Sequence, residues 1–213
     1  MKMVGSVRLL VALSALAGGL VFGAPFALAQ SIDQQRAYCE KDEYQADLRI
    51  GGCTALIQSG TLSTAELASA FHRRGLAYRA LKNWAKAIAD YDQAIKLNAQ
   101  DPYFFNNRCA AHNMLDEYKL GMADCNEALR LDPKMVYAYV GRGVSYGGQK
   151  DYPHAIADYT QAIALDPQVL LAYSQRAAIY YAQNDYVHAI ADYDQVVRLN
   201  PNDAGSYYSR GEA

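Results

Sequence analysis

The amino-acid sequence predicts an all-α protein, a solenoid of antiparallel helix pairs, on three observations. Pro133, Pro167 and Pro201 stand 34 residues apart, and each closes the same phrase: Leu131-Asp132-Pro133, Leu165-Asp166-Pro167 and Leu199-Asn200-Pro201, with Leu97-Asn98-Ala99 one step earlier. The same period sets Arg74, Arg108, Arg142, Arg176 and Arg210 in one column and Trp84, Tyr118, Tyr152 and Tyr186 in another, with no insertion to break the register. Within a period the apolar spacing is helical. Ala87, Ile88, Tyr91, Ala94 and Ile95 form one stripe, and Phe71, Gly75 and Tyr78 form a second.

The chain opens with Lys2 and Arg8 ahead of a small and apolar run from Leu9 to Phe22, then Pro25 and the sequence Ala27-Leu28-Ala29. That order has the form of a secretory leader, residues 1–29, cut between Ala29 and Gln30. The apolar run is short of the roughly 17–25 residues that cross a bilayer. The first cysteine, Cys39, stands too far on for a lipoprotein. These features place the protein in the periplasm or outside the cell, with no membrane attachment after cleavage.

Residues 30–67 read as an N-terminal helical cap, with one helix around Gln34 to Lys41 and a degenerate second helix around Arg49 to Ile57. Four full units follow, 68–101, 102–135, 136–169 and 170–203, and 204–213 begins a partial fifth. In each unit a short polar interval, Arg79 to Asn83 in the first, turns between the two helices. One unit cannot bury its stripe alone, so stacking supplies a continuous core. Gly75, Gly143 and Ala177 are small enough to let the first helix approach Ala87, Ala155 and Ala189 of the second.

The Gly75, Tyr78, Ala87, Tyr91 and Ala94 columns and the closing prolines resemble the tetratricopeptide repeat, over about two thirds of the chain. The resemblance implies a right-handed α-solenoid whose first helices line a concave groove for a protein or peptide partner. By the same resemblance the groove residues are His72, Tyr103, Asn106, Asn107, Tyr137, Val140, Leu171 and Ser174, together with Ser69, Leu76, Ala110, Val144 and Ala178. Such a surface is aromatic, small and uncharged. Some members of the family clamp a terminal carboxylate with Lys, Arg and Asn. The matching places here read His72, Leu76, Asn107, Tyr137 and Gly141, of which only Asn107 agrees.

Twenty basic residues face 22 acidic ones, and removal of the leader makes the balance slightly more acidic, which disfavours nucleic acid as a partner. No H-E-x-x-H and no Gly-rich phosphate loop occurs, so the sequence points to neither an enzyme nor a bound cofactor. His154 and His188, each with an Asp four residues on, read as solvated helix pairs or as weak two-ligand metal sites, with the solvated reading preferred. Arg74 to Arg176 travel with Asp90, Asp124, Asp158 and Asp192, 16 residues later in each unit, as a ladder of interhelical ion pairs. If exposed, each is worth roughly 0–1 kcal/mol.

Four cysteines in an exported chain invite pairing. Cys39 and Cys53 fall on the two cap helices and are paired in the preferred reading. Cys109 replaces the Gly75/Gly143 column and Cys125 the Tyr91/Tyr159/Tyr193 column, so this pair reads either as volume compensation or as a bridge between facing helices. A scaffold or adaptor with a peptide-binding groove is the leading functional expectation. Self-association through the C-terminal face, as a structural protein, is the rival.

Overall fold

The computed structural model describes residues 23–202 and 204–212. Residues 1–22, most of the expected leader, lie outside the described residues, as do positions 203 and 213. Among the described residues there are eleven helices. α1 (Gly23–Glu40) and α2 (Ala46–Ser59) form the N-terminal pair. Then come α3 (Thr64–Ala80) with α4 (Trp84–Leu97), α5 (Pro102–Asn113) with α6 (Tyr118–Leu131), and α7 (Val136–Gly148) with α8 (Tyr152–Leu165). α9 (Leu170–Ala182) pairs with α10 (Tyr186–Leu199), and α11 (Ala204–Glu212) packs on α10.

α1 is longer than the sequence suggests and runs through the expected cleavage point. Pro25 falls in its first turn, where a missing N–H costs no helical bond. The turn inside each pair is built in register. Lys82, Asp116, Lys150 and Asn184 all have φ between 56° and 62°, the left-handed bend that reverses the chain. Asn83, Asp151 and Asp185 then cap the second helix by accepting from the backbone N–H three residues on. Between pairs, the carboxylates of Asp132 and Asp166 and the amide oxygen of Asn98 accept from the N–H two residues later and close an Asx turn. α3 starts with a full capping box, Ser63 with Glu66.

Ala87, Ala155 and Ala189 are fully buried between the paired helices. Aromatic rings of the second helices fill the space beside the glycines of the first helices. A Cβ on Gly75 would lie 2.6 Å from Cε1 of Tyr91, and one on Gly143 would lie 2.6 Å from Cε1 of Tyr159. The glycines therefore admit an aromatic ring of the paired helix.

The Arg and Asp columns pair as expected but are not on the surface. Each of Asp90, Asp124, Asp158 and Asp192 is buried. Arg142 donates from Nε and Nη2 to the two carboxylate oxygens of Asp158 at 2.8 and 2.7 Å, and from Nη1 to Asn126 of the preceding second helix at 2.8 Å. Arg74, Arg108 and Arg176 repeat this fork, and their guanidinium groups lie over Phe71, Phe105 and Tyr173 at 5.5–5.9 Å, as Arg142 does over Tyr139. One side chain thus ties three helices together.

Both cysteine pairs are bonded. Cys39–Cys53 joins α1 to α2 across 4.6 Å between Cα atoms, and Cys109–Cys125 joins α5 to α6 across 5.5 Å. The second bond settles the open alternative in favour of a bridge.

Candidate binding groove

The first helices α3, α5, α7 and α9 pack against one another in succession, α5 against α7 most closely, whereas no packing of that extent joins the second helices. A stack that is tight along one row of helices and splayed along the other curves toward the tight row. The face made by α3, α5, α7 and α9 is therefore the concave one.

Tyr103 and Tyr137 occupy equivalent places at the starts of α5 and α7 and are 60% and 62% exposed. Leu171, one repeat further, is 44% exposed. Asn106 is half-buried, and its side chain makes no hydrogen bond to another side chain or backbone group among the described residues. Ser174 is half-buried and donates to the Leu170 carbonyl of its own helix. Val140 was expected in this row. It is 2% exposed and sits in the core with Ala155, Tyr159, Val169 and Ala172, because an apolar branched side chain at that point is enclosed by the next repeat.

His72 and Asn107 are committed to the protein. The Asn107 amide nitrogen stands 2.8 Å from His72 Nε2, and its oxygen accepts from Arg79 Nη1 at 3.0 Å. His72 also packs against the rings of Phe104 and Tyr91. Burial, reinforced by Arg73 and Arg79 and opposed by Asp101, depresses the His72 pKa to about 4, so the ring is neutral near pH 7. Asn107, the sole match to a carboxylate clamp, is thus already used to seal α3 against α5. Among the described residues no cluster of His, Cys, Asp and Glu is arranged to hold a metal.

One feature of the face was not found from the sequence. Between α7 and α9, where the first helices turn into the second, lies a hollow of about 320 Å³. Tyr118, Tyr152 and Tyr159 line it together with Gly147, Gly148 and Gln175. The available signal was the pair Gly147-Gly148, which falls in columns occupied by Arg79-Ala80, Asn113-Met114 and Tyr181-Ala182 in the other units.

The sequence pattern of the tetratricopeptide repeat matches residues 68–101, 136–169 and 171–203. At 31% identity the chain is similar to the TPR domain of Arabidopsis OM64, over 56% of this chain and 98% of that one, with a TM-score of 0.54. MamA from Desulfovibrio magneticus RS-1 shares the fold over 86% of this chain and 99% of its own, at 17% identity and a TM-score of 0.67. The first TPR of Spaghetti (RPAP3), solved with the HSP90 peptide SRMEEVD, covers 56% of this chain and 95% of its own at 23% identity and a TM-score of 0.54. No curated protein matches the sequence. A right-handed α-solenoid with these columns defines a helical repeat scaffold. The chain belongs to the tetratricopeptide repeat family.

Proposed function

We propose that the protein is an exported, non-catalytic adaptor that binds an extended peptide or a protein segment in the groove formed by α3, α5, α7 and α9. The observation that carries this reading is the row Tyr103, Tyr137 and Leu171, three large side chains held in the open on a concave face beside the unpaired amide of Asn106. Units 68–101, 102–135, 136–169 and 170–203, with the cap 30–67 and the start of a fifth unit at 204–213, are the working division. The similar RPAP3 repeat holds a peptide that ends in acidic residues. Here the clamp positions offer no free cation: His72 is neutral and Asn107 is engaged, so the partner is an uncharged segment rather than an anionic C-terminus.

Export and a periplasmic or extracellular site are supported by the leader pattern and by two disulfides, which persist in oxidising compartments. No helix among the described residues is long and apolar enough to cross a membrane.

Selection of displayed twelve-residue random peptides on the purified protein tests the groove. Enriched peptides should lose binding in the Tyr103→Ala/Tyr137→Ala variant and keep it when exposed residues of the second helices, Lys119 and Gln161, are changed. Peptides indifferent to the two tyrosines would overturn the reading.

Self-association is the second reading. It rests on Tyr186 and Ile190 of α10, which are 41% and 36% exposed while Tyr152 and Ile156, their equivalents one repeat earlier, are partly buried. Growth of the light-scattering mass with concentration would support it, and a constant monomer mass would remove it.

A further inference from the structure

The groove floor has three niches, one between each pair of neighbouring first helices, and the repeat makes them directly comparable. Between α3 and α5 the niche is filled by Arg79, Asn107 and His72 above Tyr91. Between α5 and α7 it is filled by Asn113, which donates to the Gly141 carbonyl at 2.7 Å and accepts from Ser145 Oγ at 2.7 Å. There even a methyl group on Gly141 would lie 2.7 Å from Cys125 Sγ and 3.2 Å from Cys109 Sγ. The third niche, between α7 and α9, is the hollow. Gly147 stands where Arg79 and Asn113 reach across in the other two, and a Cβ added there would meet only Ile179 Cδ1, at 3.7 Å.

We infer that this third niche is the anchor subsite of the groove, and that it takes one uncharged aromatic side chain of tyrosine or tryptophan size from the bound peptide. The inference rests on the groove reading above and adds the class of residue that the partner must carry. Three observations support that class. At about 320 Å³ the hollow lies at the lower end of the roughly 300–1,000 Å³ range of ligand pockets, room for one large side chain. None of its lining residues is charged, so burying a partner's ammonium or carboxylate there would leave that charge uncompensated. Its walls combine the rings of Tyr118 and Tyr152 with the amide of Gln175, which supplies a donor and an acceptor for a phenol O–H or an indole N–H. The occupant is part of a peptide because the niche opens between the same two helices, α7 and α9, that hold Tyr137 and Leu171 in the open.

The test uses side-chain probes on the ¹⁵N-labelled protein as purified after export: 4-methylphenol and 3-methylindole, with butylammonium and propionate as charged controls. The aromatic probes should shift the amides of Gly147, Gly148, Ala178 and Ala182 saturably, and the shifts should persist at high salt. The charged controls should not shift them. Gly147→Leu fills the hollow from one wall and Ala178→Leu from the other. A variant that keeps its thermal midpoint should bind the aromatic probes about tenfold more weakly or worse. Peptides selected on the wild type should share one aromatic position, and should lose about the same factor when that position becomes Ala or when Gly147 becomes Leu. If selected peptides depend on Tyr103 and Tyr137 yet show no aromatic preference and ignore Gly147→Leu, the subsite is overturned and the groove reading stands. If probes enter the hollow but no peptide depends on Tyr103 and Tyr137, the groove reading falls and the subsite's peptide occupant falls with it. Equal shifts from charged and aromatic probes, or no shift from either, would overturn the subsite directly.

Discussion

Cys109 and Cys125 stand in the places that Gly75 and Tyr91 hold one repeat earlier, and their bond spans the gap that the Tyr91 ring fills there. Both sulfurs are buried beneath Gly141. Two solutions to one packing problem thus occur in adjacent units of the same chain: a glycine that receives a ring, and a covalent bridge.

Because the two solutions fill the same space, Cys109→Gly with Cys125→Tyr should restore the packing of the neighbouring units and fold as a monomer with the wild-type helix content. Cys125→Ser alone should do worse. It breaks the bridge and leaves the ring volume empty, and the loss of loop constraint amounts to about 3 kcal/mol. Urea unfolding of the two variants under oxidising conditions makes the comparison. A double variant less stable than the single one would show that the Gly–Tyr solution does not transfer to the second repeat.

The Arg–Asp forks give a prediction about position rather than charge. Asp158→Ala leaves the Arg142 guanidinium partly buried with only Asn126 as a side-chain acceptor, and should destabilise by about 3 kcal/mol, as broken buried pairs do. Glu127→Ala breaks an equally short pair, with Arg130 at 2.7 Å, but that pair stands on the surface, where solvent screens it, and should cost far less. Thermal unfolding of both reads the difference, and equal losses would mean that the fork's burial carries no weight.

What the sequence disclosed and what it hid follow from this register. Columns that repeat could be read from spacing alone: the helix pairs, the Arg and Asp ladder, and the Cys pair as a departure from the Gly and Tyr columns. Burial was harder to read, because period says which residues are equivalent and not how deep the next repeat buries them. Val140 shares a column with His72 and Asn106 yet lies in the core, and the Arg–Asp pairs lie below the surface rather than on it. The hollow between α7 and α9 was hidden for a different reason. It is made by what Gly147 lacks, and an absent side chain leaves no pattern in a sequence until the helices that flank it are in place.

Tyr103 and Tyr137 separate binding from folding. Both are more than half exposed, so Tyr103→Ala/Tyr137→Ala removes little packed volume and should shift the thermal midpoint slightly while costing a groove-bound peptide about 2 kcal/mol or more. Tyr91→Ala is the opposite case. That ring is fully buried against Gly75, and its loss should destabilise by about 3–5 kcal/mol. Early unfolding of the double variant, with normal binding once folded, would mean that the two tyrosines serve the core.

His72 makes the stability of the fold depend on pH. Burial holds its folded pKa at about 4, below the 6.5 of the free ring. Between those values the unfolded chain takes up a proton that the folded chain refuses. Stability should therefore be level above about pH 6.5 and fall as pH drops toward 4, by about 2–3 kcal/mol in total. Glu66, Glu127, Asp151 and Asp185 have lowered pKa values set chiefly by hydrogen bonds to Ser63, Arg130, His154 and His188. Their contribution is present above the unfolded carboxylate range near pH 4 and is lost below it, so the two effects occupy separate windows. His72→Gln keeps a hydrogen-bonding group opposite Asn107 and removes the titration. Chemical unfolding at pH 7, 5.5 and 4.5 should show a slope in the wild type across that interval and a flatter line in the variant. A wild-type slope that survives His72→Gln unchanged would place its origin in another group.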